Sequence, residues 1–241
     1  MKRILLLLFI CLEFTFTYAQ DDGNYQYTRE FIWGINKNTN GGLIGGFVVK
    51  KSKAINETTF RTFGIELMNV KHPKEHRRAS PSSGNSYIFG KSNYLYAFRF
   101  QTGIDKILFK KASQQGVQIM YSLSGGPTIG LLAPYFVEVV FNNGDGVLRQ
   151  KYDPRNPQHT ARNIVGTGRL FQGLGQSTII PGVNAKASLN FEFGTFKSNV
   201  TGFEVGLNAE AYTYEICLII PEHNRSFFTS AFVTLYYGTR R

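Results

Sequence analysis

Residues 183–193, VNAKASLNFEF, alternate between two kinds of side chain. Val183, Ala185, Ala187, Leu189, Phe191 and Phe193 share one face; Asn184, Lys186, Ser188, Asn190 and Glu192 share the other. Residues 201–212 repeat the pattern, with Phe203, Val205, Leu207, Ala209 and Ala211 set against Glu204, Asn208 and Glu210. A period of two is the signature of a β-strand, whose successive side chains leave opposite faces. The same pattern predicts strands at 27–36, 43–50, 59–70, 93–102 and 227–238. It also predicts one long strand at 117–142 with a kink or bulge at Gly125-Gly126-Pro127, two separate strands there being the alternative.

Eight strands result, or ten if the kinked strand is split and one more is counted to keep the number even. Segments 71–92, 143–179 and 215–226 lack periodicity and read as long loops. Counted from the N-terminus they fall on one side of the sheet, and the short connections 51–56, 103–116 and 194–199 fall on the other. Short turns at one end, long loops at the other and an even number of antiparallel strands mark transmembrane β-barrels. The fold class expected is therefore all-β, a closed antiparallel transmembrane barrel. Its apolar faces would meet lipid and its polar faces would point inward. Tyr27, Trp33, Tyr94, Tyr135 and Tyr237, near strand ends, would form aromatic girdles.

The N-terminus adds location. MKRILLLLFICLEFTFTYAQ has two basic residues, a short apolar run and Thr-Tyr-Ala before Gln20. It reads as a secretory signal peptide cleaved after Ala19, leaving a barrel domain at 20–241. That chain has 222 residues (241 − 19), a net charge of +10 (11 − 1) and one cysteine, Cys217. A lone cysteine excludes an internal disulfide framework and a cysteine zinc site.

The segments YSLSGGPTIGLLAPYFVE (121–138), KYDPRNPQHT (151–160) and IIPEHNRSFFTSAFVTLYYGTRR (219–241) resemble a family of small outer-membrane proteins of Gram-negative bacteria. More broadly, the chain resembles the eight-stranded barrels of the OmpA/OmpX type. The resemblance implies a fold and an outer-membrane location with both termini periplasmic, and brings no functional residues with it. The chain departs from a common pattern of such barrels by ending Gly-Thr-Arg-Arg rather than on an aromatic residue.

Candidate chemistry lies on the polar faces and in the loops. The inward set is Glu30, Glu66, Arg99, Glu138, Lys186, Glu192, Glu204 and Glu210. Buried charges must pair, and an eight-stranded barrel is just wide enough to be filled by side chains. A sealed, salt-bridged plug is expected, with loop arginines supplying missing bases; a narrow cation-preferring path is the alternative. Loop 71–92 carries Lys71, Lys74, Arg77, Arg78 and Lys91 against Glu75, and loop 143–179 carries five bases against two acids. On an outer-membrane barrel these loops would face lipopolysaccharide phosphates or a partner protein, in a structural or accessory role that includes being a subunit of an envelope assembly. Nucleic acid, the usual partner of so basic a chain, is excluded by export.

His72, His76, His159 and His223 all fall in predicted loops, where a solvated histidine is the ordinary reading. His76 has Ser80 and Glu75 nearby, and His223 has Glu222 and Ser226, so a lipid-modifying enzyme needs convergence that spacing cannot show. Asp153 and His159 read as a rigid Asp-Pro turn rather than a metal site. No enzyme activity, cofactor or metal is expected. A porin-like transport barrel and a soluble lipocalin-like ligand binder are the contrasting readings, the latter requiring apolar residues inside.

Overall fold

The computed structural model describes residues 27–41, 45–110, 116–140, 146–169, 172–193, 198–220 and 224–241. The expected leader, 1–19, lies outside them. Eight strands close into an antiparallel barrel: β1 (Arg29–Asn38), β2 (Gly46–Ala54), β3 (Thr59–Val70), β6 (Asn93–Phe109), β7 (Gln118–Pro134), β11 (Thr178–Phe193), β12 (Asn199–Ile216) and β13 (Arg225–Arg240). Each pairs with its neighbour along the wall, and β13 pairs with β1 to close it. The backbone N–H groups of Thr28 and Arg29 both donate to the Arg241 carbonyl at 2.8 Å, tying the two ends together at one rim.

Pairing fixes the shape. Directly opposed residues run Arg29, Lys53, Arg61, Ile104, Leu123, Ala187, Leu207 and Ala231 around the wall. The circuit returns to β1 at Thr39, whose N–H donates to the Ala231 carbonyl. The stagger is thus ten residues (39 − 29). With a rise of about 3.3 Å per residue and a spacing of about 4.8 Å between strands, eight strands then tilt by about 40°. At that tilt about ten residues cross a bilayer core, and the wall strands carry 9 to 18.

The alternation is strict in space. On β1, Phe31, Trp33 and Ile35 are exposed on the outer face, and Glu30, Ile32 and Asn36 are buried inside. Trp33 meets Tyr237 edge-on at 6.1 Å, and Phe191 stacks on Phe203 at 4.8 Å, both on the outer face. Two expected girdle residues lie elsewhere. Tyr27 is buried in the lumen mouth, stacked on Phe60, and Tyr135 is buried above the wall. Inside, Tyr236 lies between Gly34 on β1 and Gly202 on β12, where side chains would collide with it.

The expected kink or bulge at 125–127 brings no register shift, although on the β6 side Gly126 and Pro127 drop out of the pairing between Arg99–Thr128 and Thr102–Gly125. Gly125, Gly126 and Pro127 stay in unbroken register with Ala185, Asn184 and Val183. The break comes at Pro134. Beyond it β8 (Phe136–Val140) leaves the wall and becomes the centre of a small sheet between β9 (Val147–Lys151) and β10 (Ile164–Thr167). Segment 71–92, read as a loop, holds the hairpin β4 (Arg77–Ala79) and β5 (Ser86–Ile88). Together they form a cap over the rim opposite the termini, with a core of Tyr87, Ile88, Tyr135, Val137, Val139, Tyr152 and Ile164. Strands of three to five residues are too short for alternation to show.

Candidate functional site: the charged lumen and its cap

The inward positions stack in layers. At the terminal rim Arg240, from β13, pairs with Glu192 and lies 3.6 Å from Glu30, its guanidinium over the Tyr27 ring. Above it Lys50 bonds Asp105 at 2.9 Å, and Asn190 donates to Ser122, which donates to the other Asp105 oxygen. In mid-barrel Lys186 lies 3.2 Å from Glu204 and 3.9 Å from Glu66. Arg99 then donates from Nε to Glu210 at 2.9 Å and from Nη1 to Glu66 at 3.3 Å. Asn36 gives Glu66 a further bond at 2.8 Å, and Tyr212 gives one to Glu210 at 3.2 Å. Charges taken out of water need this density of partners.

Above Glu210 the lumen turns apolar. Met68, Leu95, Ala97, Ile180, Tyr212 and Phe228 meet across it, with Ile216, Leu218 and Ile219 packed behind. Polar faces therefore point inward only in the lower part. Among the charged layers, Lys50, Asp105, Lys186 and Glu204 border a cavity of about 20 Å³, room for about one water.

Seven of the eight expected inward residues (Glu30, Glu66, Arg99, Lys186, Glu192, Glu204 and Glu210) are brought together here. Glu138 is not. It lies on β8, outside the wall, in a partly exposed pair with Arg149 at 2.7 Å. Its alternation runs on in phase from β7, but past Pro134 there is no lumen to face. Three charged network members were missed, namely Lys50, Asp105 and Arg240. Lys50 stands in the run KKSK, where alternation with Ser52 turns it inward. Asp105 fell in an expected connection and Arg240 beyond the expected end of the last strand. The extra bases come from wall strands, not from loop arginines.

The cap holds the second expected set. Lys74, Arg77 and Arg78 are exposed, Arg78 over the Phe89 ring, and Lys71 is half-buried. Lys91 is fully buried instead, paired with Glu75 and set over the Tyr94 ring. Burial pushes its ammonium below the ordinary lysine range, against the pull of Glu75. Burial likewise pushes the Tyr135 and Tyr152 phenols up, although each oxygen accepts a backbone N–H, from Ile88 and Gly90.

Two loop histidines are fastened rather than solvated. The Nδ1 of His159 faces the backbone of Asp153 at 2.9–3.0 Å, and its ring stacks on Tyr152. The Nδ1 of His72 accepts the Lys74 N–H. Glu75, the acid beside His76, is held by Lys91, and Ser80 is buried against Ser82. His223 and Glu222 lie outside the described residues. Among the described residues no cluster of three metal-ligating side chains forms.

No family model matches the chain, and no curated protein does. Likenesses among solved structures include three small outer-membrane barrels. The attachment invasion locus protein Ail of Yersinia pestis aligns at TM-score 0.39 and 10% identity, over 90% of this chain and 99% of that one. The N-terminal β-barrel domain of Pseudomonas aeruginosa OprF aligns at 0.36 and 9%, over 90% and 98%. Neisserial surface protein A aligns at 0.35 and 9%, over 89% and 95%.

Proposed function

We propose that the chain is an integral outer-membrane barrel with a sealed lumen, which anchors a basic cap at the cell surface in a structural or accessory role. The observation that carries this is its inverted polarity. The outer wall exposes Phe31, Trp33, Phe63, Leu123, Leu207 and Leu235, while the interior holds ten charged groups, nine of them buried and Lys50 half-buried, in pairs and chains. A soluble barrel has the reverse arrangement, so the lipocalin-like reading fails on the same observation. Closure leaves no sheet edge unpaired in lipid.

The near-full interior supports a plug over a pore. In this reading the terminal rim is periplasmic and the cap extracellular, where Lys74, Arg77 and Arg78 meet lipopolysaccharide phosphates or an acidic partner surface. Lys91 is excluded from that role by its burial. In this reading the protein acts without catalysis, with His72 and His159 held by hydrogen bonds within the cap. Membrane fractionation joined to gel mobility of boiled and unboiled samples tests the reading. Outer-membrane partition with a heat-dependent shift is expected; release in the soluble periplasmic fraction would overturn it.

A further inference from the structure

The outer wall is not evenly apolar. Near the terminal rim the register sets Arg29, Lys53 and Arg61 directly opposite one another on β1, β2 and β3. Lys51 lies two residues from Lys53, with Phe31 and Phe63 directly opposite it on either side. All four cations are exposed on the outer face, and no carboxylate among the described residues pairs with them. Like charges directly opposite in a sheet repel, so the row is unfavourable unless an anion bridges it. The arc of the same rim on β11 and β12 carries Phe191, Phe193 and Phe203 instead.

A second feature adjoins the row. Val49, Phe63, Ile65, Phe100 and Pro127 line an open apolar groove of about 410 Å³ on the outer wall, and Lys51 stands at its end. Cations at the rim followed by an apolar trough along the wall match the two halves of one molecule, a phosphate headgroup and an acyl chain.

We propose that this face binds an anionic phospholipid of the leaflet around the terminal rim. Its phosphate lies across Arg29, Lys51, Lys53 and Arg61, and one acyl chain runs along the Val49–Pro127 groove. The proposal rests on the membrane-spanning reading, and its test separates the two. Trp33, the only tryptophan of the chain, sits on the same outer face directly opposite Val49. Brominated acyl chains touching that face quench its fluorescence.

The full chain is reconstituted in phosphatidylcholine vesicles containing a brominated lipid, either phosphatidylglycerol or phosphatidylcholine. Both are expected to quench, phosphatidylglycerol at a several-fold lower mole fraction. The variant K51Q/K53Q/R61Q should lose that preference while keeping quenching by brominated phosphatidylcholine, and K74Q/R77Q/R78Q in the cap should keep it. Should the triple variant fail to assemble, Lys53→Gln alone should lower the preference at least twofold. Equal quenching by both lipids in the native chain overturns the site and leaves the membrane reading standing, and so does a preference that survives K51Q/K53Q/R61Q. Quenching by neither lipid overturns the membrane reading itself. Quenching that falls as protein density in the vesicle rises, without lipid preference, assigns the face to a second copy and overturns the proposal.

Discussion

Arg99 shows what a single residue does in this lumen. It is buried and is the shared donor to two carboxylates, Glu66 and Glu210. Removing one partner of a buried ion pair leaves charge without solvent and costs about 3–5 kcal/mol, whereas neutralising all partners together costs far less. Arg99→Met is therefore expected to lower the unfolding free energy of the detergent-solubilised barrel, read by urea titration, by that order. Arg99→Met combined with Glu66→Gln and Glu210→Gln should recover most of it. A single variant as stable as the native chain would show that the network is held elsewhere. The cap tyrosines make a pH prediction at the same scale. Tyr135 and Tyr152 have phenols raised above the ordinary value of 10.0. Below that value folded and open caps are both protonated and pH has no effect. Above it the open cap releases its protons first, so cap stability falls as pH rises. In an alkaline titration, tyrosinate absorbance from these two residues should appear only as the cap opens; their titration in an intact cap would contradict this.

Among the elements, wall and cap depend on each other unequally. The wall closes on itself through its own pairs, whereas the cap is seated on the wall through Tyr135 N–H to the Ser92 carbonyl and Tyr94 against Tyr135. Replacing 136–176 by a short turn is expected to leave the heat-dependent gel shift intact and to make 77–91 protease-sensitive, read by limited proteolysis and mass spectrometry. Loss of the shift would mean that the cap holds the barrel together. The same contrast explains what the sequence made legible. Wall strands repeat a two-residue period for nine residues or more, and the register follows from which face is apolar, so the strand count and Glu66, Arg99 and Glu204 were readable. Cap strands are short and packed on both faces, so their period is lost. Glu138 was misassigned because periodicity carries no mark of where a strand leaves its sheet. Asp105 and Arg240 escaped because strand ends were set too short, and Lys50 because it closes the expected strand 43–50, so that the alternation with Ser52 lay beyond it. The apolar upper plug was hidden because Met68, Leu95 and Phe228 stand beside apolar or aromatic outward neighbours, Leu67, Tyr94, Tyr96 and Phe227, so neither face reads as polar.

At the scale of the whole molecule the lumen is filled in series, with ionic layers below, hydrocarbon in the middle and the cap above. An ion crossing the lumen would have to break the charged pairs and also cross the apolar layer. Planar-bilayer recordings of the native protein are expected to be silent, and to stay silent with Glu204→Gln or Glu192→Gln. Discrete steps that shift with either substitution would instead establish a conducting path. Net charge is also divided by place: the lumen consumes its four bases against six acids, so the excess of lysine and arginine lies on the cap and the rims.

The closing seam between β1 and β13 carries more than backbone bonds. Arg240 pairs with Glu30 on β1 to one side and with Glu192 on β11, two strands along the wall to the other, and it is positioned only when the last strand docks. Until then the growing sheet holds the Glu30 and Glu192 carboxylates at the terminal rim without their arginine. Assembly thus has an electrostatic latch: an open or clipped barrel is not a slightly weaker version of the closed one but a trough with unpaired carboxylates, and the final strand closes the wall and pairs them in a single step.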